Sequence, residues 1–190
     1  MKLKELLVIY LNNKYGETMV KNNFDENVRD SLNGLLTLFF QSNSACDNMA
    51  YALDCELDCH SASDIFHKKF AHLFPGDKMA DKLSEIMVNE GVRPLRGALS
   101  QDSSNYENIV VLFEDAYNTM NNVKQGLLNT IEFLDYNKDC KVFVIELEEM
   151  ARYASVLLHQ CDIWRSKAKA YYESGRTYKF DTDFEEFTFI

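Results

Sequence analysis

Three of the chain's four histidines, His60, His67 and His72, fall within "HSASDIFHKKFAH" (60–72), directly after the acidic, cysteine-bearing "DCELDC" (54–59). Imidazole and carboxylate together suit iron, manganese or zinc, so the spacing of these groups decides whether a metal site can form. Residues three or four apart share a helix face, which sets Asp64 beside His67 and pairs Asp54 with Asp58. With two antiparallel helices turning near residues 59–61, Asp54 and His67 lie at similar distances from the turn and can meet. Further on, "DKLSE" puts Asp81 and Glu85 on one face. Each group also has a plainer reading. Acids four apart commonly make a solvated helix edge, His60 sits where it can cap a helix end, and His72, just ahead of "FPG", can bond a freed carbonyl. Cys55 and Cys59, one turn apart beside His60, offer a rival zinc site as thiolates. Yet no CxxC pair exists, and free cysteines are commonly plain core residues. His159 stands apart and reads as a surface residue.

Four long segments position these residues. Apolar side chains recur at three-four spacing over about 25–57 (Val28, Leu32, Leu35, Phe39, Cys46, Met49, Leu53, Leu57), with Asp25 as N-cap. A second segment, about 62–90, is apolar at Phe66, Phe70, Leu83, Ile86 and Met87; Pro75-Gly76 predicts a kink or a split into two helices, and Gly91 a stop. The third, about 106–136, and the fourth, about 140–173, are joined by the short "YNKDC", which makes them antiparallel neighbours. The resulting expectation is an all-α, antiparallel four-helix bundle over 23–175. A short amphipathic helix (1–22) precedes it and an acidic, Phe-rich tail (176–190) follows. The tail has two readings, packing on its own domain or a neighbouring subunit, or docking to a separate protein partner.

Composition narrows the function. Seven Gly and two Pro in 190 residues argue against an all-β chain. No apolar run reaches the length of a membrane span. The N-terminus, interrupted by Glu5, does not read as a signal peptide. Five cysteines without an export signal then predict reduced thiols in a cytoplasm. A net charge of −10 argues against direct nucleic-acid binding, which needs a basic patch.

"FHKKF", followed by "DKLSE" and "EGVRP", resembles the second helix of Dps-type proteins, small members of the ferritin-like superfamily. In that family a histidine begins the helix, an Asp-x-x-x-Glu pair follows near its end, and a Gly and a Pro open the loop to the third helix. The resemblance covers about 25–172 and assigns His67, Asp81 and Glu85 as metal ligands. It implies a ferritin-like fold, a homo-oligomer, and a ferroxidase-type oxidoreductase that oxidises iron with peroxide or oxygen and stores it as mineral. It also implies a site between subunits, with His67 of one copy facing Asp81 and Glu85 of another. The sequence departs from the pattern in places. The first-helix histidine and the Trp after it are missing, with Asp54 or Cys55 at that place, and the interval from His67 to Asp81 is one residue short. Nor are there Glu-x-x-His pairs of the di-iron kind; Glu114, Glu146 and Glu149 flank the apolar stripes without lying in them. The competing expectation is a non-enzymatic acidic helical bundle that acts through protein–protein interaction, its metal site lost.

Overall fold

The computed structural model describes residues 24–100 and 104–190, the side chains of 73–77 excepted. The short helix expected over 1–22 lies outside the described residues. Among those residues there are six α-helices and no strand: α1 (Glu26–Cys55), α2 (His60–Phe66), α3 (Lys82–Asn89), α4 (Ile109–Asp135), α5 (Lys141–Glu173) and α6 (Thr177–Asp183). A π-helix, His67–Asp81, joins α2 to α3, and 3₁₀ turns occupy Lys138–Cys140 and Phe184–Phe187. No helix among the described residues is long and apolar enough to cross a membrane.

Local chemistry sets the boundaries. The Asp25 carboxylate accepts from the Asn27 backbone N–H at 2.8 Å, and Asn108 does the same for Val110 and Val111 at the start of α4. Gly91 (φ 74°) ends α3, where the Val92 N–H returns to the Met87 carbonyl at 2.7 Å; Gly175 (φ 67°) ends α5 in the same way. Around Pro75-Gly76 two α-helices do flank the break, but no turn separates them. Proline has no N–H for an i→i−4 bond, and the backbone stays helical by widening to the π pattern.

Pairwise contacts give the direction of each long element. From Asp54–His60 to Asn43–Ala71, α1 runs antiparallel to the α2–π–α3 rod. Residues 92–100 and 104–108 then return along α1 as an extended strap. Asn33 Oδ1 accepts from Leu95 N–H (2.7 Å), Thr37 Oγ1 from Gly97 N–H (2.8 Å), Gln41 Oε1 from Ser100 N–H (2.8 Å), and Glu56 Oε2 from Tyr106 N–H (3.3 Å). Arg96 lies over the Phe40 ring at 3.8 Å. The strap therefore starts α4 beside the C-terminal end of α1. From there α4 runs antiparallel to α1, bringing Gly126 so close to Leu38 that an added Cβ would stand 2.4 Å from its Cδ2. α5 reverses again, with Arg165 on Glu114 at 3.1 Å, and carries Phe143 to Phe24 (5.4 Å between ring centres) at the start of α1.

The core is aromatic at one end. Trp164 of α5 is fully buried and packs on Phe66, Phe70, Phe113 and Phe184, with ring centres 5.3–5.9 Å apart. The tail completes this cluster, packing on its own chain. Phe180 and Phe184 are fully buried. The buried Gln160 amide donates to the Phe187 carbonyl (3.0 Å) and accepts from the Phe189 N–H (2.7 Å). Trp164 Nε1 donates to Thr188 Oγ1 at 3.0 Å, and Asp181 accepts from the Ala62 N–H at 2.8 Å, satisfying an open donor in the first turn of α2.

If the tail is part of the core, Phe184→Ala lowers unfolding free energy by about 3–5 kcal/mol. Gln160→Leu, which leaves the Phe187 carbonyl and Phe189 N–H without partners, costs about 1–3 kcal/mol. Urea unfolding followed by the fluorescence of the single Trp measures both; midpoints equal to the parent's would refute the tail's structural role.

Candidate metal centre

The antiparallel pairing of α1 with the following rod keeps one register throughout. Asp54 faces His60, the Ala50 carbonyl accepts from Ser63 Oγ, Asp47 faces His67, and the Ala71 carbonyl accepts from Asn43 Nδ2. Each step of three or four back along α1 meets one of three or four forward on the rod. The chain turns through Glu56–Cys59, with Asp58 in the left-handed region (φ 51°). That is earlier than the turn expected at 59–61, so Asp54 and His67 do not meet; they fall two helical turns out of step.

Asp54 and His60 form a tight pair instead, Oδ1 to Nδ1 at 2.7 Å, with both side chains more than half exposed. His60 thus ties the end of α1 to the start of α2. Its pKa is raised, first by the hydrogen bond to Asp54 and then by that carboxylate's charge. Asp64, expected beside His67, is held by Lys68 at 2.7 Å on the exposed face. His67 is half-buried; its Nε2 stands 3.6 Å from Asp47 Oδ1, its ring 5.9 Å from Tyr51 and only 4.3 Å from His72. Asp47 Oδ1 is itself buried without a hydrogen-bond partner. Asp81 and Glu85 are both exposed at the far end of the rod, and no ion pair or hydrogen bond among the described residues engages either.

The acids that flank the apolar stripes, and one of the two rival thiols, have structural employment. Lys82 bridges Glu146 (3.1 Å) and Glu149 (2.9 Å), while Arg165 holds Glu114 and Asp162. Cys55 is exposed, whereas Cys59 is buried, donates to the Leu57 carbonyl, and has its thiol pushed up to about 11 by burial and the charge of Asp181. Such a thiol does not offer a thiolate at neutral pH. Among the described residues, no three of His, Cys, Asp and Glu stand together as a ready metal-holding group. His159 is exposed, its ring 5.8 Å from that of Phe189.

One participant and one adjacency escaped the sequence. Asp47 follows the apolar Cys46 and pairs with nothing nearby in the chain. His67 and His72 are five apart, a spacing that puts them on different faces of an α-helix but on one face of a π-helix, whose bonds run i→i+5. Pro75-Gly76 was the available signal that 3.6-residue counting fails here.

The His60 pair carries a pH dependence with a defined sign. A folded-state pKa above the ordinary value of 6.5 means the pair's contribution is fully present below that value and is lost as pH rises through the raised one. In an NMR titration His60 should titrate above 6.5, and Asp54→Asn should return it towards that value; an unchanged midpoint in the variant would contradict the pairing.

No protein-family model matches the chain, and no curated protein matches it.

Proposed function

We infer that the chain is a ferritin-like four-helix bundle of the Dps kind, which binds iron as its substrate and oxidises and stores it within a homo-oligomer. The architectural part rests on the strap along α1. A connection that spans one long helix makes the second and third rods parallel, the one-crossover arrangement of ferritin-like bundles. The single observation that carries the metal part is the pair Asp81 and Glu85. Two carboxylates four apart on an exposed face, unpartnered among the described residues, repel one another. A cation relieves that repulsion.

Within one chain these acids do not assemble with His67, so the residues fit iron only as half-sites, each completed by a second copy. There the carboxylates would hold and partly neutralise the cation, and an imidazole would add a nitrogen ligand while leaving positions open for oxidant. A second reading, an acidic bundle that binds a protein partner, draws on the orientation of His67. Its Nε2 turns towards Asp47 of its own chain.

Elemental analysis after anaerobic incubation with ferrous iron separates the two, with sedimentation reporting assembly. Bound iron in an oligomeric parent, reduced at least about tenfold in Glu85→Gln and in His67→Ala, is the expected result; loss of even a group that supports a metal ligand costs about 10–100-fold. A parent that holds no iron above background would end the storage reading and leave the partner-binding bundle.

A further inference from the structure

The π-helical stretch creates a histidine pair of which the iron reading uses only His67. His67 and His72 lie one π-turn apart, with ring centres 4.3 Å from each other and planes inclined by 54°. Two imidazoles that each sit about 2.0–2.1 Å from one tetrahedral ion place their ring centres about 5 Å apart, so a small outward ring movement brings this pair to that spacing. His72 is exposed and His67 half-buried, which leaves the pair open to solvent on one side.

Behind the pair lies Asp47. Its Oδ1 is buried, lacks any hydrogen-bond partner, and faces His67 Nε2 at 3.6 Å. That distance is too long for a hydrogen bond, but a small ring movement closes it. A protonated Nε2 would then satisfy the orphaned oxygen and leave Nδ1 as the nitrogen available to a metal. A carboxylate behind a ligating imidazole is the usual way to fix its tautomer and raise its basicity. Tyr51 packs against the same ring, and Asn43 Nδ2 holds the Ala71 carbonyl at 2.9 Å, pinning the π backbone between the two histidines.

We propose that His67 and His72 form a two-imidazole site for a borderline divalent transition metal of the Zn(II) class, with Asp47 as its orienting carboxylate and water completing the coordination. Imidazole suits such ions, and a site of two protein ligands plus water needs no third protein ligand. It also gives the wide helix a purpose, since α-helical winding would part the two rings.

The test is Zn(II) titration of the full chain against a chromophoric chelator, with helicity checked by circular dichroism. The parent should bind one ion per chain. His72→Ala, an exposed substitution, should weaken binding at least about tenfold, as should His67→Ala, and Asp47→Asn should weaken it by about tenfold as a supporting carboxylate does. Cys55→Ser and His60→Ala should leave it unchanged. Glu85→Gln should lose iron but keep zinc, and His72→Ala the reverse, so failure of either reading is seen separately. No zinc binding by the parent, binding indifferent to His72→Ala, or binding abolished by Cys55→Ser would each overturn the proposal.

Discussion

The burial of Trp164 is the constraint on which the rest of this structure depends. Its indole is the meeting point of three rods and the tail: Phe66 and Phe70 from the α2–π rod, Phe113 from α4, and Phe184 stacked on it from the chain's end. Burying an aromatic side chain contributes about 1.5–3 kcal/mol through area alone. Edge-on and offset ring pairs add about 0.5–1.5 kcal/mol each. The indole N–H would oppose that burial if left alone, since an unpaired buried donor costs about 1–3 kcal/mol. Thr188 accepts it, and Thr188 in turn donates to the Phe184 carbonyl at 2.7 Å. The apolar contact and its polar accounting are thus closed by the same short segment.

Polar groups elsewhere are settled by the same economy of placement. The strap along α1 has few apolar side chains to bury, and most of its described residues are exposed. What holds it is a ladder of Asn33, Thr37 and Gln41, one residue per helical turn, each accepting one strap N–H. Gly97 belongs here because a Cβ would stand 3.1 Å from the Thr37 side chain that binds its own backbone. Gln160 repeats the device inside the protein, where one amide both donates to and accepts from the tail.

These particulars explain which parts of the fold can be read from the sequence. The four long segments are legible because their buried positions repeat at helical spacing, and because Asp25, Gly91 and Gly175 carry their boundary chemistry on their own side chain or lack of one. The strap is not legible. Asn33, Thr37 and Gln41 look like any solvated stripe until their partners, about sixty residues away, are known. The register of α1 against the next rod is equally hidden, because a turn placed a few residues late carries His67 from Asp47 to Asp54. The π winding is the subtler case. Pro75 announces a disturbance but not that its effect reaches back to His67.

Charge then divides the molecule into two chemistries. Its interior is apolar and keeps even its thiols neutral, since burial raises Cys46 and Cys161 well beyond the range in which they ionise. A cation therefore gains nothing from the core, and the acids held in the ion pairs described above lie at or near the surface. Most of those named here are already matched, Glu146 and Glu149 by Lys82, Glu114 and Asp162 by Arg165, Asp64 by Lys68. Asp81 and Glu85 are the contrast, one turn apart and unmatched among the described residues, on a chain of net charge −10. Like charges one turn apart oppose helix formation by about 0.2–0.5 kcal/mol, a small penalty that α3 tolerates because Leu83 and Met87 are buried beneath it. Apolar burial on one face of α3 thus allows a carboxylate pair on the other that no basic side chain among the described residues neutralises.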